Sequence, residues 1–146
     1  RYPKTHYPYK QTAGRDRLAR LDEVSRAAGG SAILLDVRSQ DEYRGHPRQK
    51  NSGHIRGARW WQWEDNVDFE NAFRIKADRE LEQRANQLGL KDKAQPVILY
   101  CRSGHRAAHS YFTLRKLGYT NVRLYDGSMA EFTLQRPGDI QQGETP

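Results

Sequence analysis

The stretch Val97–Ala108 reads V-I-L-Y-C-R-S-G-H-R-A-A. It opens on an apolar run too short for a helix, so Pro96–Cys101 is expected to be a buried strand. Arg102–His105, with Gly104 inside it, is expected to turn the chain. Arg106–Leu117 then has the pattern of a helix that Gly118 stops. Cys101 is the only cysteine in 146 residues, and this reading puts it at the carboxyl end of a strand and the mouth of a helix. Successive backbone N–H groups in such a loop can turn inward as an anion cradle, to which the positive end of the helix dipole adds. Arg102 and Arg106 bring two full charges close by, with His105 between them. These surroundings favour a thiolate and mark Cys101 as a candidate nucleophile.

Outward from this stretch the same alternation repeats. Residues 1–14, with Pro3 and Pro8 and no helical period, are expected to form an extended arm or interdomain linker. Leu18, Leu21, Val24 and Ala28 have helical spacing, so a helix is expected over Asp16–Ala28, ended by Gly29-Gly30. Ala32–Val37 is a short apolar run and a second buried strand. Ser39, with Glu42 three residues on, makes a capping box for a short helix through Tyr43. A polar loop at Gly45–Ser52 leads to His54–Arg59, another short strand. Trp60, Trp61 and Trp63 are read as packing around a sheet edge or pocket rim. Asp78–Leu88 is an amphipathic helix, Val122–Tyr125 a strand, and Ser128–Leu134 a short helix. The tail 136–146, rich in Gly, Pro and Gln, is expected to be loose. Strands alternating with helices predict an α/β domain, a central, mainly parallel sheet flanked by helices, with ligands beyond the carboxyl ends of the strands.

Composition narrows the function classes. Net charge is +7, from 25 Lys and Arg against 18 Asp and Glu, which favours anionic partners: nucleic acid, acidic lipid headgroups or small oxyanion substrates. The basic residues are spread along the chain, which argues against nucleic acid. The longest apolar runs, Ala32–Leu35 and Val97–Cys101, are far below the ~20 residues of a membrane span, so no membrane partner is expected. One cysteine excludes an internal disulfide and a cysteine-rich zinc site. A lone reduced thiol is compatible with cytoplasm or periplasm.

Four segments, in order, carry a resemblance. They are L-L-D-V-R at Leu34–Arg38 followed by Glu42-Tyr43, G-H-I-R-G-A at Gly53–Ala58, C-R-S-G-H-R at Cys101–Arg106, and Y-D-G-S at Tyr125–Ser128 followed by Glu131-Phe132. Together they resemble the rhodanese-like sulfurtransferases. Arg56 stands where that family more often has proline, and Met129 and Phe132 where it usually has tryptophan. The resemblance implies a rhodanese-like three-layer catalytic domain over residues 15–135. The length of the loop between Tyr43 and Gly53 resembles the tandem-domain members. This implies a catalytic domain cut from a longer chain with further rhodanese-like domains upstream, the periplasm being favoured if that chain is exported.

The implied chemistry is transfer of a sulfane sulfur from thiosulfate or a related donor. Cys101 is the nucleophile, and Arg102, Ser103, Gly104, His105 and Arg106 form the donor-binding loop. Asp36 and Arg38 are supporting residues, Asp36 pairing with Arg106 or Arg38; pairing with Arg106 would leave Arg102 as the main donor-binding charge. His54 reads as a hydrogen-bonded turn residue. A thiol or cyanide is the acceptor, and no metal or organic cofactor is implied. Two rivals differ in class. A cysteine phosphatase or arsenate reductase uses a related C-x5-R loop, whereas this one is C-x4-R, a smaller ring with Tyr100 before the cysteine. A sulfur-carrier or regulatory binding module is the other; the silent modules usually lack the cysteine that is present here. Arg102 favours thiosulfate over mercaptopyruvate, and Ser103 is compatible with both.

Overall fold

Two four-residue strands, each buried throughout, make the centre of the molecule: β1 (Ile33–Asp36) and β6 (Val97–Tyr100). The computed structural model describes Pro3, Lys4, His6, Pro8 and residues 14–146. The arm expected over 1–14 therefore falls mostly outside the described residues. Around the central pair run β2 (His54–Ile55), β3 (Arg59–Trp60), β4 (Val67–Asp68), β5 (Arg74–Ile75), β7 (Val122–Leu124) and β8 (Ile140–Gln141). The helices are α1 (Leu21–Ala27), α2 (Gln40–Arg44), α3 (Asp78–Gln87), α4 (His105–Lys116) and α5 (Ser128–Gln135). The main sheet has the order β3-β1-β6-β7 and is parallel throughout. Leu35 is opposite Leu99 and Asp36 opposite Tyr100, so the carboxyl ends of β1 and β6 lie side by side.

Side chains alternate across a strand, and here the alternation sorts the core into two layers. Ile33, Leu35, Val97, Leu99 and Cys101 face one side, where Leu81 and Ala85 of α3 and Ala107 and Leu114 of α4 cover them. Leu34, Ile98 and Tyr100 face the other, against Val24 of α1 and Met129 and Phe132 of α5. The result is the expected three-layer, helix-flanked parallel sheet. Burying a Leu, Ile or Phe side chain stabilises by about 1.5–3 kcal/mol, so the two layers hold the strand ends in register. Trp61 is buried in the first layer and Trp63 packs against it, and Trp60 Nε1 donates to the Arg38 carbonyl at 2.9 Å. The tryptophans are packing residues, as read.

Three expectations are corrected. The first helix starts at Leu21, not Asp16. Arg15–Arg17 form a 3-10 turn, and Ala19 N–H donates to the Leu124 carbonyl at 2.9 Å. The open edge of β7 thus takes up backbone that periodicity alone would make helical. The strand expected over His54–Arg59 is two strands in different sheets, broken at Gly57, whose φ of +80° suits glycine. A Cβ there would stand 2.9 Å from the Ala28 carbonyl oxygen.

The tail 136–146 is docked rather than loose. β8 pairs antiparallel with β2, Gly143 N–H donates to the Arg44 carbonyl at 2.9 Å, and Glu144 pairs with Arg44. Its hydrogen-bonding partners lie about 90 residues away (Gln142 to Ser52, for instance), which composition cannot reveal.

Candidate active site

Cys101 is the first residue beyond β6, a free thiol 1% exposed. Its N–H donates to Ser128 Oγ at 3.2 Å, and that hydroxyl donates to the Tyr125 carbonyl at 2.8 Å. The start of α5 then takes the carbonyls of the loop: Met129 N–H bonds the Cys101 oxygen at 3.1 Å and Ala130 N–H the Arg102 oxygen at 3.0 Å. With those carbonyls turned toward α5, the N–H groups are left over. From Arg102 to Ala107 none donates to an acceptor among the described residues. Six adjacent donors without acceptors at the N-terminus of α4, beside a thiol, are what an anion cradle requires.

Gly104 makes the turn possible. Its φ is +88°, and a Cβ would fall 2.5 Å from Asp126 Oδ1. Ser128 is also left-handed, at φ 49°, and fully buried. Such a backbone in a non-glycine residue persists only where the surroundings enforce it, and here the hydroxyl's two bonds to Cys101 and Tyr125 do so.

Arg106 reaches back to α2 and forms a fork on Glu42, at 2.6 Å and 2.9 Å. Hydrogen bonding to Arg106 pulls the Glu42 carboxyl down to about 2, and bonding to Glu42 raises Arg106 in turn. Glu42 also holds the Ser39 capping box, so one carboxylate fixes both the start of α2 and the last arginine of the loop.

Asp36 pairs with Arg38 and not with Arg106. The Arg38 Nε donates to both Asp36 oxygens, at 2.9 Å and 3.1 Å, and its Nη2 to Oδ2 at 2.5 Å. The same Nη2 reaches the Gly53 carbonyl at 2.6 Å, tying the end of β1 to the end of the long loop. Burial opposes the charge of Arg38, and Asp36 more than restores it. Both side chains are buried, as a scaffold requires. His54 is stacked on Tyr43 at 3.8 Å, with Nδ1 at 2.8 Å from the Tyr43 carbonyl. This is the structural role read for it.

The remaining loop residues divide by exposure. Gly104 is buried; Arg102, Ser103 and His105 face solvent. With Arg106 engaged by Glu42, Arg102 is the loop guanidinium that forms no ion pair among the described residues. It lines a cleft of about 660 Å³ between the 45–53 loop and α5. Cys101, which is buried, is not among the residues that line the cleft. Two contributors were not assigned a site role from sequence. Glu42 was visible as a capping residue and as part of the first resemblance segment, and Ser128 as part of Y-D-G-S, but partners 64 and 27 residues away leave no local signal of what they hold. No group of three His, Cys, Asp or Glu able to hold a metal occurs among the described residues.

Comparison with known proteins agrees with this geometry. A thiosulfate sulfurtransferase of Corynebacterium glutamicum is 35% identical, over 98% of this chain and 50% of that protein. The sulfur carrier protein TtuD of Thermus thermophilus is 36% identical, over 90% of this chain and 50% of its own length. The crystal structure of the Tum1 protein from Saccharomyces cerevisiae superposes with a TM-score of 0.80 at 25% identity, covering 99% of this chain and 52% of that one. The chain spans about half the length of these relatives. The family model for the rhodanese-like domain matches residues 20–135, and with these relatives it establishes that the chain belongs to the rhodanese-like domain family.

Proposed function

We propose that this domain is a sulfurtransferase that carries a sulfane sulfur from thiosulfate or a related donor through a Cys101 persulfide to a thiophilic acceptor such as cyanide or a thiol. The observation that carries the reading is the only thiol of the chain beside six backbone N–H groups that donate to no acceptor among the described residues. The donor's oxygens dock on Arg102 and the cradle. The Cys101 thiolate attacks the outer sulfur, a Cys101–sulfur bond forms, the donor's S–S bond breaks, and sulfite leaves with the electron pair. The terminal persulfide sulfur then sits within the N–H cradle, which stabilises its charge. Cyanide or a thiolate takes that sulfur, and Cys101 returns as thiolate. Every step balances without a metal or organic cofactor.

Two features support sulfur over phosphate. The ring is C-x4-R, one residue short of the phosphatase loop, and Arg106 is held by Glu42 instead of being free for a phosphate oxygen. The likeness to a protein named as a sulfur carrier supports a second version of the same chemistry, in which the acceptor is another protein. The half-length match supports residues 15–135 as one catalytic domain of a longer chain; that further rhodanese-like domains lie upstream rests on the resemblance of the loop between Tyr43 and Gly53 to tandem-domain members.

Intact-mass spectrometry after thiosulfate treatment tests the reading. One added sulfur is expected, removed by cyanide as thiocyanate. A Cys101→Ser protein that still turned thiosulfate over would refute the assignment.

A further inference from the structure

A second cleft, of about 460 Å³, opens where the edge strand β3 meets the carboxyl end of α3. None of its lining residues belongs to Cys101–Arg106. Two arginines line it, Arg59 on β3 and Arg84 on α3, and the half-buried ring of Trp60 stands with them. Each guanidinium is held by one bond to a backbone carbonyl. Arg59 Nη1 donates to that of Leu88, and Arg84 Nη2 to that of Trp60 at 3.1 Å. Gly89 makes room for the first. A Cβ there would fall 2.5 Å from Arg59 Nη1, and its φ of +79° suits glycine.

These bonds brace α3 against β3, and Arg59 caps a carbonyl at the end of the helix. Bracing uses little of what an arginine offers. A guanidinium has five N–H donors, and the other nitrogens of Arg59 and Arg84 are neither bonded to an acceptor among the described residues nor buried. Neither arginine is in an ion pair among the described residues. The acidic side chain that lines the cleft, Glu144, is engaged by Arg44. Two positive charges held in place with donors to spare suit a phosphate. Beside them Trp60 supplies a flat face, its ring fixed by the bond from Nε1 to the Arg38 carbonyl at 2.9 Å. Clefts of ~300–1,000 Å³ hold whole organic molecules, and inorganic phosphate alone would leave most of this one empty.

We propose that this cleft binds an aromatic phosphate ester, the chemistry a mononucleotide carries, with the phosphate on Arg59 and Arg84 and the ring on Trp60. Stacking on an aromatic side chain tolerates any base, so the class is set by the phosphate and the flat ring. The site stands apart from the sulfur-transfer reading and does not depend on it.

Isothermal titration calorimetry with AMP, phenyl phosphate, adenosine and inorganic phosphate tests it, in the native protein, Arg84→Gln and Arg102→Ala. AMP is expected to bind about tenfold or more tightly than adenosine or inorganic phosphate. Arg84→Gln is expected to weaken AMP about tenfold and to leave adenosine unchanged. Arg102→Ala is expected to leave AMP binding unchanged, which separates this cleft from the loop beside Cys101. Tighter binding of AMP than of phenyl phosphate assigns the site to nucleotides, and equal binding assigns it to aromatic phosphates at large; either supports the proposal. In the native protein AMP is also expected to shift the Nε1–H resonance of Trp60 and the Nε–H resonances of Arg59 and Arg84, a readout that needs no variant to fold. No binding of AMP at millimolar concentration, equal affinity for AMP and adenosine, or AMP binding lost in Arg102→Ala and kept in Arg84→Gln overturns the proposal, whether or not Cys101 takes sulfur from thiosulfate.

Discussion

Replacing Glu42 by Gln tests how the last arginine of the loop is held. The carboxyl lies at about 2 in the folded protein against 4.5 ordinarily, with its hydrogen bond to Arg106 as the largest cause. At about 1.4 kcal/mol per unit this corresponds to roughly 3 kcal/mol. The two side chains are 29% and 33% exposed, and solvent screening reduces the figure to about 1–2 kcal/mol. Because the folded pKa is depressed, this stability is fully present above pH 4.5 and is lost as the pH falls toward 2. Gln keeps the shape and a partial cap for Ser39 while removing the charge. Urea unfolding of both proteins at pH 7 and at pH 2–3 is the assay. Glu42→Gln is expected to be about 1–2 kcal/mol less stable at pH 7, with the difference shrinking at acid pH as the native carboxyl protonates. A difference unchanged by pH, or none at pH 7, would show that the fork on Arg106 contributes nothing through charge.

Three other outcomes follow from the same geometry. Arg102→Ala should lower kcat/KM for thiosulfate about ten- to a hundredfold, mainly through KM, since charge-assisted bonds of this kind are worth ~1.5–3 kcal/mol; steady-state kinetics with cyanide as acceptor measure it, and an unchanged KM makes Arg102 a bystander. Gly104→Ala should abolish most of the activity, because it meets both a φ of +88° and a Cβ contact of 2.5 Å with Asp126; pairing it with Asp126→Ala should relieve the contact and not the backbone strain, so recovery in thiosulfate turnover should be partial. Gln142→Ala should loosen the 45–53 loop, seen as faster hydrogen exchange at Ser52 N–H, with thermal unfolding nearly unchanged because the bonds lost are at the surface.

Much of this protein was legible along the chain. The runs at Ile33–Asp36 and Val97–Tyr100 are apolar throughout because both faces of a parallel sheet are covered, and that is a local signal. The strand–glycine turn–helix around Cys101 is also local, since Gly104 and the helix start lie within a few residues of the thiol. Other features required the third dimension. Whether Asp36 would take Arg38 or Arg106 was undecidable from spacing; the fold settles it by bringing Glu42 to Arg106 across 64 residues of chain. The tail looked loose by composition, yet β8 pairs with β2 and Gln142, the residue after it, bonds the 45–53 loop. Periodicity and turn residues report interactions within a few positions. A sheet edge seeking a partner, or a guanidinium seeking a carboxylate, is satisfied by whatever the packed layers bring within 3 Å, and sequence distance does not enter that choice.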